Sequence, residues 1–547
     1  METPGTFTDA VKLHQAGRLS EAETIYRKVL ETQPDHFGSL HLLGAIDLQR
    51  GHHEEAVRKI DAAIKLNSTV AEAFNNRGTA LRELKRFDEA LMSHDKAIEL
   101  KPDYAEAFNN RGNALLEMRR LDEALASYER AILLKPDYAE AFSNRGNALF
   151  ELARLTEALT SVDLAIALNP RYAHAHNNRG NVLVELGRFD EAVASYDSAV
   201  ALKPDHASAF FNRARALREL RRIDDAFASY DRAIALRPGY AEAFYGRAVL
   251  NLLLGRYGEG LPEYEWRWPQ QHFTDAPSWK GEDLTGRHIA ISYEMHFGDM
   301  IQAARYVPLL GERGARVTFI VPAKLVRLFR TLAAPKVALV SSLDPRSRFD
   351  FQCALMSLPL LFGTEVPSVP NQVPYLGAEA DLVARWRNKL GEHGFKIGLS
   401  WQGRPQRTVD RRRFALADLA PISRVPGVRL ISLQKDVGVD QLEGLPASCK
   451  VETLGDFDSG PDAFIDTAAV MENLDLVITS DTSIAHLAGA LGRPTWLALK
   501  YVPDWRWLLD RDDSPWYPTL RLFRQETIGD WKSVFLKMER ELRSLVP

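Results

Sequence analysis

The stretch from Ala105 to Tyr138, AEAFNNRGNALLEMRRLDEALASYERAILLKPDY, decides the fold of the first half of the chain. Its apolar residues recur at helical spacing in two runs, the pattern of two amphipathic helices joined by a short turn. Gly112 in the first run lets the second helix approach closely. Pro136 ends the second helix, because proline has no N–H to donate and clashes with the preceding turn. One such pair cannot bury its apolar face, so copies must stack. Copies are present in a single 34-residue register: prolines stand at Pro34, Pro102, Pro136, Pro170, Pro204 and Pro238, with Ser68 in the missing slot. Small residues keep the same step at Gly44, Gly78, Gly112, Gly146, Gly180, Ala214 and Ala248.

This 34-residue period with fixed small positions resembles the tetratricopeptide repeat. Seven full units fit residues 3–240. An eighth, AEAFYGRAVLNLLLGRYGEGLPEYEWRW, begins regularly and then drifts, as expected where an array is capped by another domain. An array over residues 3–272 is therefore expected.

Composition fits this plan. The 547 residues are too many for one domain, and 46% hydrophobic with 26% charged residues is ordinary for a globular chain. A net charge of -4 leaves no basic excess for phosphates, which argues against nucleic acid as a partner. No apolar run reaches the roughly 18 residues that a membrane span needs. The start, METPGTFTDAVKLHQAG, lacks the pattern of a signal peptide, so a cytoplasmic location is expected. Cys353 and Cys449 are too few for a disulfide framework or a zinc site and read as apolar fillers. All ten tryptophans lie between Trp266 and Trp531, which puts a boundary near residue 270.

Beyond it, strand and helix alternate. HIAISY (288–293), RVTFIVP and KVALVSS read as strands, with helices at GDMIQAARYVPLLGERG and AKLVRLFRTLA. After a helix near 379–390 the pattern restarts with FKIGLSW, VRLISLQ, LDLVITS and TWLALK as strands, with helices near 416–423 and 462–473 and at TSIAHLAGALG. Short apolar strands separated by helices imply parallel sheets. The restart near 395 implies two Rossmann-like halves, 286–376 and 395–530, followed by a C-terminal helix over 531–547.

Ligands of such sheets bind beyond the carboxyl ends of the strands, where three segments lie. In the first, a strand runs into Ser480-Asp481-Thr482-Ser483 and a helix starts at once; its free N–H groups suit a diphosphate, and His486 lies one turn inside. Asp481 or Thr482 could equally cap the helix, and His486 could be a core residue. In the second, Met295-His296-Phe297-Gly298-Asp299, Asp299 could accept a proton from a hydroxyl or serve as a helix cap. The third runs from Trp401-Gln402-Gly403-Arg404 to Arg411-Arg412-Arg413; its arginines suit phosphates or a solvated surface. Gln434 and Lys435, at the next strand end, could reach a ribose or base.

These residues resemble the heptosyltransferase-like glycosyltransferases of GT-B fold, over roughly 286–530. The carrying segments are FGDMIQAARYVPLLGERGARV, FDFQCALMSLPLLFG, ISLQK, DTSIAHLAGALGRPTW and PDWRWLLDRDDSPWYP. The resemblance implies an all-α repeat superhelix followed by an α/β GT-B domain of two Rossmann-like halves. It implies a nucleotide sugar bound by the second half, with Asp299 as base and Asp481, Thr482 and His486 in the donor segment, and it puts a cationic phosphate contact at Arg412. Related repeat-fused proteins read Gln-Gly-Leu-Gly-Asp at the first turn; here Met295-His296-Phe297 crowds the loop, and His296 competes with Asp299 as base. The architecture also resembles protein glycosyltransferases of the O-linked N-acetylglucosamine transferase type, which implies a polypeptide acceptor on the array.

The expectation is a metal-independent, inverting glycosyltransferase with no cofactor beyond its nucleotide-sugar substrate; no D-x-D element stands at a strand end to hold a metal. A glycan or lipid-linked acceptor, or a repeat scaffold with an inactive sugar-nucleotide domain, are the rival readings. The acceptor would be gripped by Asn76, Asn110, Asn144, Asn178 and Asn212, five asparagines at the 34-residue step. The alternative is that they bond to neighbouring helices.

Overall fold

The computed structural model describes residues 6–546, apart from 268–272, 295, 333, 335, 404–411, 447 and 448. Met295, Arg404 and Arg411 of the segments above lie outside the described residues. The chain divides into two compact units, Met1–Arg213 and Ala214–Pro547.

Among the described residues, sixteen helices run in eight consecutive pairs, from Phe7–Gln15 and Leu19–Thr32 to Ala241–Leu253 and Tyr257–Tyr264. The small residue of each first helix has the steric role expected of it. A Cβ on Gly112 would stand 2.5 Å from the Tyr128 ring, one on Gly146 2.4 Å from Val162 Cγ1, and one on Gly180 2.4 Å from the Tyr196 ring. Arginines at the next position tie three helices together. Arg111 reaches Asp95 of the preceding unit at 2.7 Å and Ser127 of its own second helix at 2.7 Å, and Arg179 repeats this with Asp163 and Ser195.

The turn inside each pair passes through one residue with positive φ. It is glycine at Gly51 and Gly187 but Arg119 (62°) and Ala153 (61°) elsewhere. A side chain costs about 1–2 kcal/mol in that region, part of which glycine gives back in chain entropy. Ala153→Gly is therefore expected to stabilise the first unit by about 1 kcal/mol. A lowered urea midpoint would show that the turn is not strained.

The boundary between the two compact units falls inside the helix Ala207–Glu219. The eighth helix pair belongs to the second unit because its aromatic residues are buried against the α/β region. Trp505 stands edge-on to Tyr257 and Tyr264 at 5.8 and 5.9 Å, and Trp516 donates to Tyr257 Oη at 3.2 Å.

Among the described residues, ten strands form two parallel sheets: β1 His288–Ser292, β2 Arg316–Ile320, β3 Val337–Val340, β4 Phe351–Ala354, β5 Phe395–Ser400, β6 Val428–Ser432, β7 Val451–Glu452, β8 Leu476–Ser480, β9 Thr495–Leu499 and β10 Leu520–Arg524. The first sheet has the order β3-β2-β1-β4 and the second β10-β9-β8-β5-β6-β7. Ser400 pairs with Thr479, so β5 and β8 end side by side where the strand order reverses, which opens a crevice at their carboxyl ends. The helix Trp531–Leu545 buries Val534, Phe535, Met538 and Leu542 in the core that also holds Trp401, Phe414 and Ile478. Cys353 and Cys449 are buried and unpaired.

The single helix expected after β1 is two, Phe297–Ala303 and Tyr306–Glu312. Pro308 has no N–H for the carbonyl of Ala304, and the chain breaks there. Arg305, at the break, turns inward: it donates to Gln302 O at 2.8 Å and Pro370 O at 3.0 Å and lies over the Tyr517 ring at 4.4 Å.

Candidate functional site

Two helix starts meet at the carboxyl ends of β1 and β8. Asp299 caps the helix Phe297–Ala303 by accepting from His296 N–H at 3.0 Å, and Thr482 Oγ1 caps Ser483–Ala490 by accepting from Ile484 N–H at 3.3 Å. Gly298 makes the contact: a Cβ there would stand 2.9 Å from His486 Cδ2 and 3.4 Å from Ser483 Cα. The structure thus brings Asp299 of the first sheet together with Asp481, Ser483 and His486 of the second. His296 is exposed at the rim.

The other oxygen of Asp299 is not open. It accepts from Arg506 at 2.6 Å, and Arg506 also donates to Asp504 at 2.9 Å and to Gln302 Oε1 at 3.3 Å. Burial lowers the pKa of this guanidinium, but the Asp504 and Asp299 carboxylates outweigh it and hold the pKa well above the usual value. A cation fixed between two carboxylates is the centre of the cluster.

His486 is placed as a joint. Its Nδ1 lies 3.0 Å from Tyr517 Oη, its ring stacks on Trp507 at 5.3 Å, and Gly298 covers one edge. Burial, with Arg506 and Arg305 nearby, pushes its pKa well below the ordinary range. It is a neutral imidazole, with no positive charge to offer a phosphate, and the core reading of this residue describes its surroundings.

Asp481 has the opposite problem. Burial and the neighbouring Asp504 carboxylate push it up to about 6, while Trp507, Arg412 and Arg506 pull the other way. A carboxyl whose folded pKa is raised gives stability that is whole below its unfolded value of 3.8 and is lost as pH rises through about 6. Asp481→Asn, which carries no charge, is thus expected to stabilise the second unit on the order of 3 kcal/mol at pH 8 and about half as much at pH 5. Urea midpoints at the two pH values check this; a gain that does not shrink on acidification refutes it.

The remaining expected donor residues are scattered in role. Arg412 is half-buried and close enough to act on Asp481 electrostatically. Gln434 is a brace: its Oε1 accepts from the backbone of Trp401 and Gln402 at 3.0 and 3.2 Å, and its Nε2 donates to Gln402 O and Val437 O, both at 2.8 Å. Lys435 donates to Asp458 O. Both hold the loops after β5 and β6, and their polar atoms face protein. Ser480 is fully buried. Among the described residues no cluster of three or more His, Cys, Asp or Glu could hold a metal ion, and no helix is long and apolar enough to cross a membrane.

The five repeat asparagines all use Nδ2 on the preceding unit. Asn110 donates to Asn75 at 3.1 Å, Asn144 to Asn109 at 3.0 Å, Asn178 to Ser143 at 3.1 Å and Asn212 to Asn177 at 3.1 Å, and Asn76 pairs with His41 Nε2 at 3.1 Å. The inter-unit bonding read as the alternative for these residues is therefore present.

Sequence reasoning missed Arg506, Asp504 and Arg305. The signal for the first two was the run Asp504-Trp505-Arg506-Trp507, an arginine between tryptophans, whose aromatic faces can take a guanidinium. Arg305 carried no signal.

Tetratricopeptide-repeat families match the chain at residues 154–207, 177–241 and 211–270 and, as TPR repeats, at 78–119 and 112–153. Protein FlbA of Caulobacter vibrioides is 29% identical over 338 residues, covering 53% of this chain and 53% of FlbA. The chain thus spans about half the length of the curated relative it matches. Among solved structures it is similar to YrrB, described as a TPR protein with an unusual peptide-binding site (26% identity, 34% of this chain and 97% of that one, TM-score 0.28). It is also similar to TTC0263, a thermophilic TPR protein of Thermus thermophilus (26% identity, 35% of this chain and 100% of that one, TM-score 0.31). The N-terminal half of the chain is built of tetratricopeptide repeats, and parallel α/β sheets follow it.

Proposed function

We propose that the protein is a glycosyltransferase that moves a sugar from a nucleotide-sugar donor to a polypeptide held by its repeats. One observation carries the reading: Asp299, from the turn after β1, is half-buried and adjoins Gly298, which meets Ser483 and His486 at the helix start that follows β8. The second sheet has the strand order of a doubly wound nucleotide-binding fold, with the loops after β5 and β8 flanking its crevice. In a GT-B enzyme of this kind the nucleotide diphosphate would lie against Thr482, Ser483 and Arg412. Asp299 would take the proton of an acceptor hydroxyl as its oxygen bonds to the anomeric carbon. The bond from that carbon to the diphosphate breaks, its electron pair leaves with the phosphate, and the anomeric configuration inverts. Incubation with a panel of nucleotide sugars tests this. Released diphosphate and matching mass added to a protein acceptor support it; neither product from any donor refutes it.

A second reading, a protein-binding scaffold with an inactive domain, is favoured by one feature. Gly298 is pressed on His486, and Arg506 holds Asp299, so that the joint is filled by the protein itself. Thermal shift with uridine, guanosine and adenosine diphosphates separates the two, because a domain without a donor site shows no shift.

A further inference from the structure

The eighth helix pair ends in a buried charge network. Past the helix Tyr257–Tyr264 the chain makes one short turn, Glu265–Arg267, and Arg267 is turned inward with its side chain only 3% exposed. Its guanidinium donates to Glu294 at 2.8 Å, to Ser357 Oγ at 2.9 Å and to Glu265 at 2.6 Å. Ser357 Oγ donates in turn to the other oxygen of Glu265 at 2.7 Å, and Met356 N–H donates to Glu294 at 3.2 Å. Burial lowers the pKa of Arg267, but the Glu294 and Glu265 carboxylates outweigh it and keep the cation.

The partners have definite places in the first sheet. Ser292 pairs with Ala354, so β1 and β4 end side by side. Glu294 stands two residues past β1, and Met356 and Ser357 two and three past β4. One side chain of the last repeat therefore ties both strand ends together, and Glu294 leads to Asp299 five residues on. A second arm reaches the same carboxylate. Arg267 lies over the Tyr264 ring at 5.1 Å, Tyr264 meets Trp505 edge-on at 5.9 Å, and the next residue, Arg506, donates to Asp299 at 2.6 Å.

Stability is a weak reason for such a network. A buried ion cluster roughly breaks even against apolar side chains of similar volume, whereas a planar guanidinium with three partners fixes direction. We propose that Arg267 and Glu294 are positioning residues: through them the eighth repeat, and not the sheet alone, sets where Asp299 stands. The proposal rests on the role given to Asp299 above, so its test includes a measurement that uses no sugar donor.

Two variants of the full chain are compared with the wild type. Arg267→Lys keeps the charge but loses the fork. Arg267→Met, Glu265→Leu and Glu294→Leu together replace the network by apolar groups, and the melting temperature is expected to stay within about 5 °C. Hydrogen–deuterium exchange of the helix Phe297–Ala303 is expected to quicken about threefold in Arg267→Lys and at least about tenfold in the triple variant. Exchange of Leu476–Ser480 in the second sheet should not change. With a donor that is turned over, kcat is expected to fall on the order of 10–100-fold in the triple variant, with the donor KM within about twofold. A purely structural network gives another result: with the melting temperature kept, exchange and kcat in the triple variant match the wild type, and that overturns the proposal. Unchanged exchange in Arg267→Lys overturns it as well. If the wild-type chain turns over no donor, the transfer reading fails by itself, and exchange still decides whether Arg267 and Glu294 place Asp299. Should the triple variant unfold, exchange and kcat of Arg267→Lys decide it.

Discussion

Replacing Arg506 by methionine is expected to cost the second unit about 3 kcal/mol, because it removes the shared cation of two carboxylates and leaves Asp299 unpaired in a largely covered site, while Asp504 keeps access to water. Asp299 and Asp504 lie 2.6 and 2.9 Å from the guanidinium, and the Arg506 and Asp299 side chains are only 6% and 14% exposed. Methionine keeps an unbranched apolar side chain in the place, but it gives up the guanidinium that lies over the Trp505 ring at 4.6 Å as well as the two ion pairs. Urea denaturation followed by tryptophan fluorescence reads it, since Trp505, Trp507 and Trp516 all lie in or beside the cluster. Adding Asp299→Asn and Asp504→Asn to the methionine variant is expected to restore most of the stability, as no unpaired charge then remains. A loss below about 1 kcal/mol in the single variant would mean that the carboxylates find water or other partners.

Under the proposed transfer chemistry, turnover by an Asp299→Asn variant is expected to fall on the order of 10²–10⁴-fold, the span usual for a lost general base. Donor binding should change little, because that proposal assigns Asp299 to the acceptor and the β8 helix start to the donor. The asparagine carbonyl can still accept from Arg506, but its NH2 faces the His296 N–H that the carboxylate accepts, so the cap is lost along with the base. His296→Ala is the comparison. His296 is exposed, and its backbone N–H, the capping partner, survives the change. Full activity in Asp299→Asn with none in His296→Ala would exchange the two roles.

How much could be read from the sequence depends on how local each feature is. The helix pairs were legible because Gly112, Pro136 and their copies act within one unit and recur at a fixed step. β1, β5, β6, β8 and β9 were legible as apolar runs. β4 and β10 were not: FQCA is short, and Leu520–Arg524 alternates with arginines because it lies at the sheet edge. The packing of the eighth helix pair was not legible, because it is decided by Tyr257 and Tyr264 meeting a segment some 240 residues away. The cluster was half legible. Asp299, Asp481 and His486 stand in strand–turn–helix contexts, but their charge states depend on Arg506 and Arg305, whose inward turn no spacing encodes. The row of repeat asparagines was visible in its period, and its bonding to the preceding units required coordinates, since position alone does not say which end of an amide is occupied.

The seat of the eighth helix pair has a consequence for synthesis. The first unit is complete once Arg213 has left the ribosome, and its helices can pack as they appear. Tyr257 and Tyr264 cannot, because Trp505 and Trp516 are made about 240 residues later. At about 5–20 residues per second that delay is on the order of tens of seconds. For that time the nascent chain shows an aromatic surface with no partner of its own, at the end of an array that is already folded. The hazard to the maturing protein is therefore concentrated in one short stretch, and a chaperone that delays aggregation would have its greatest effect there.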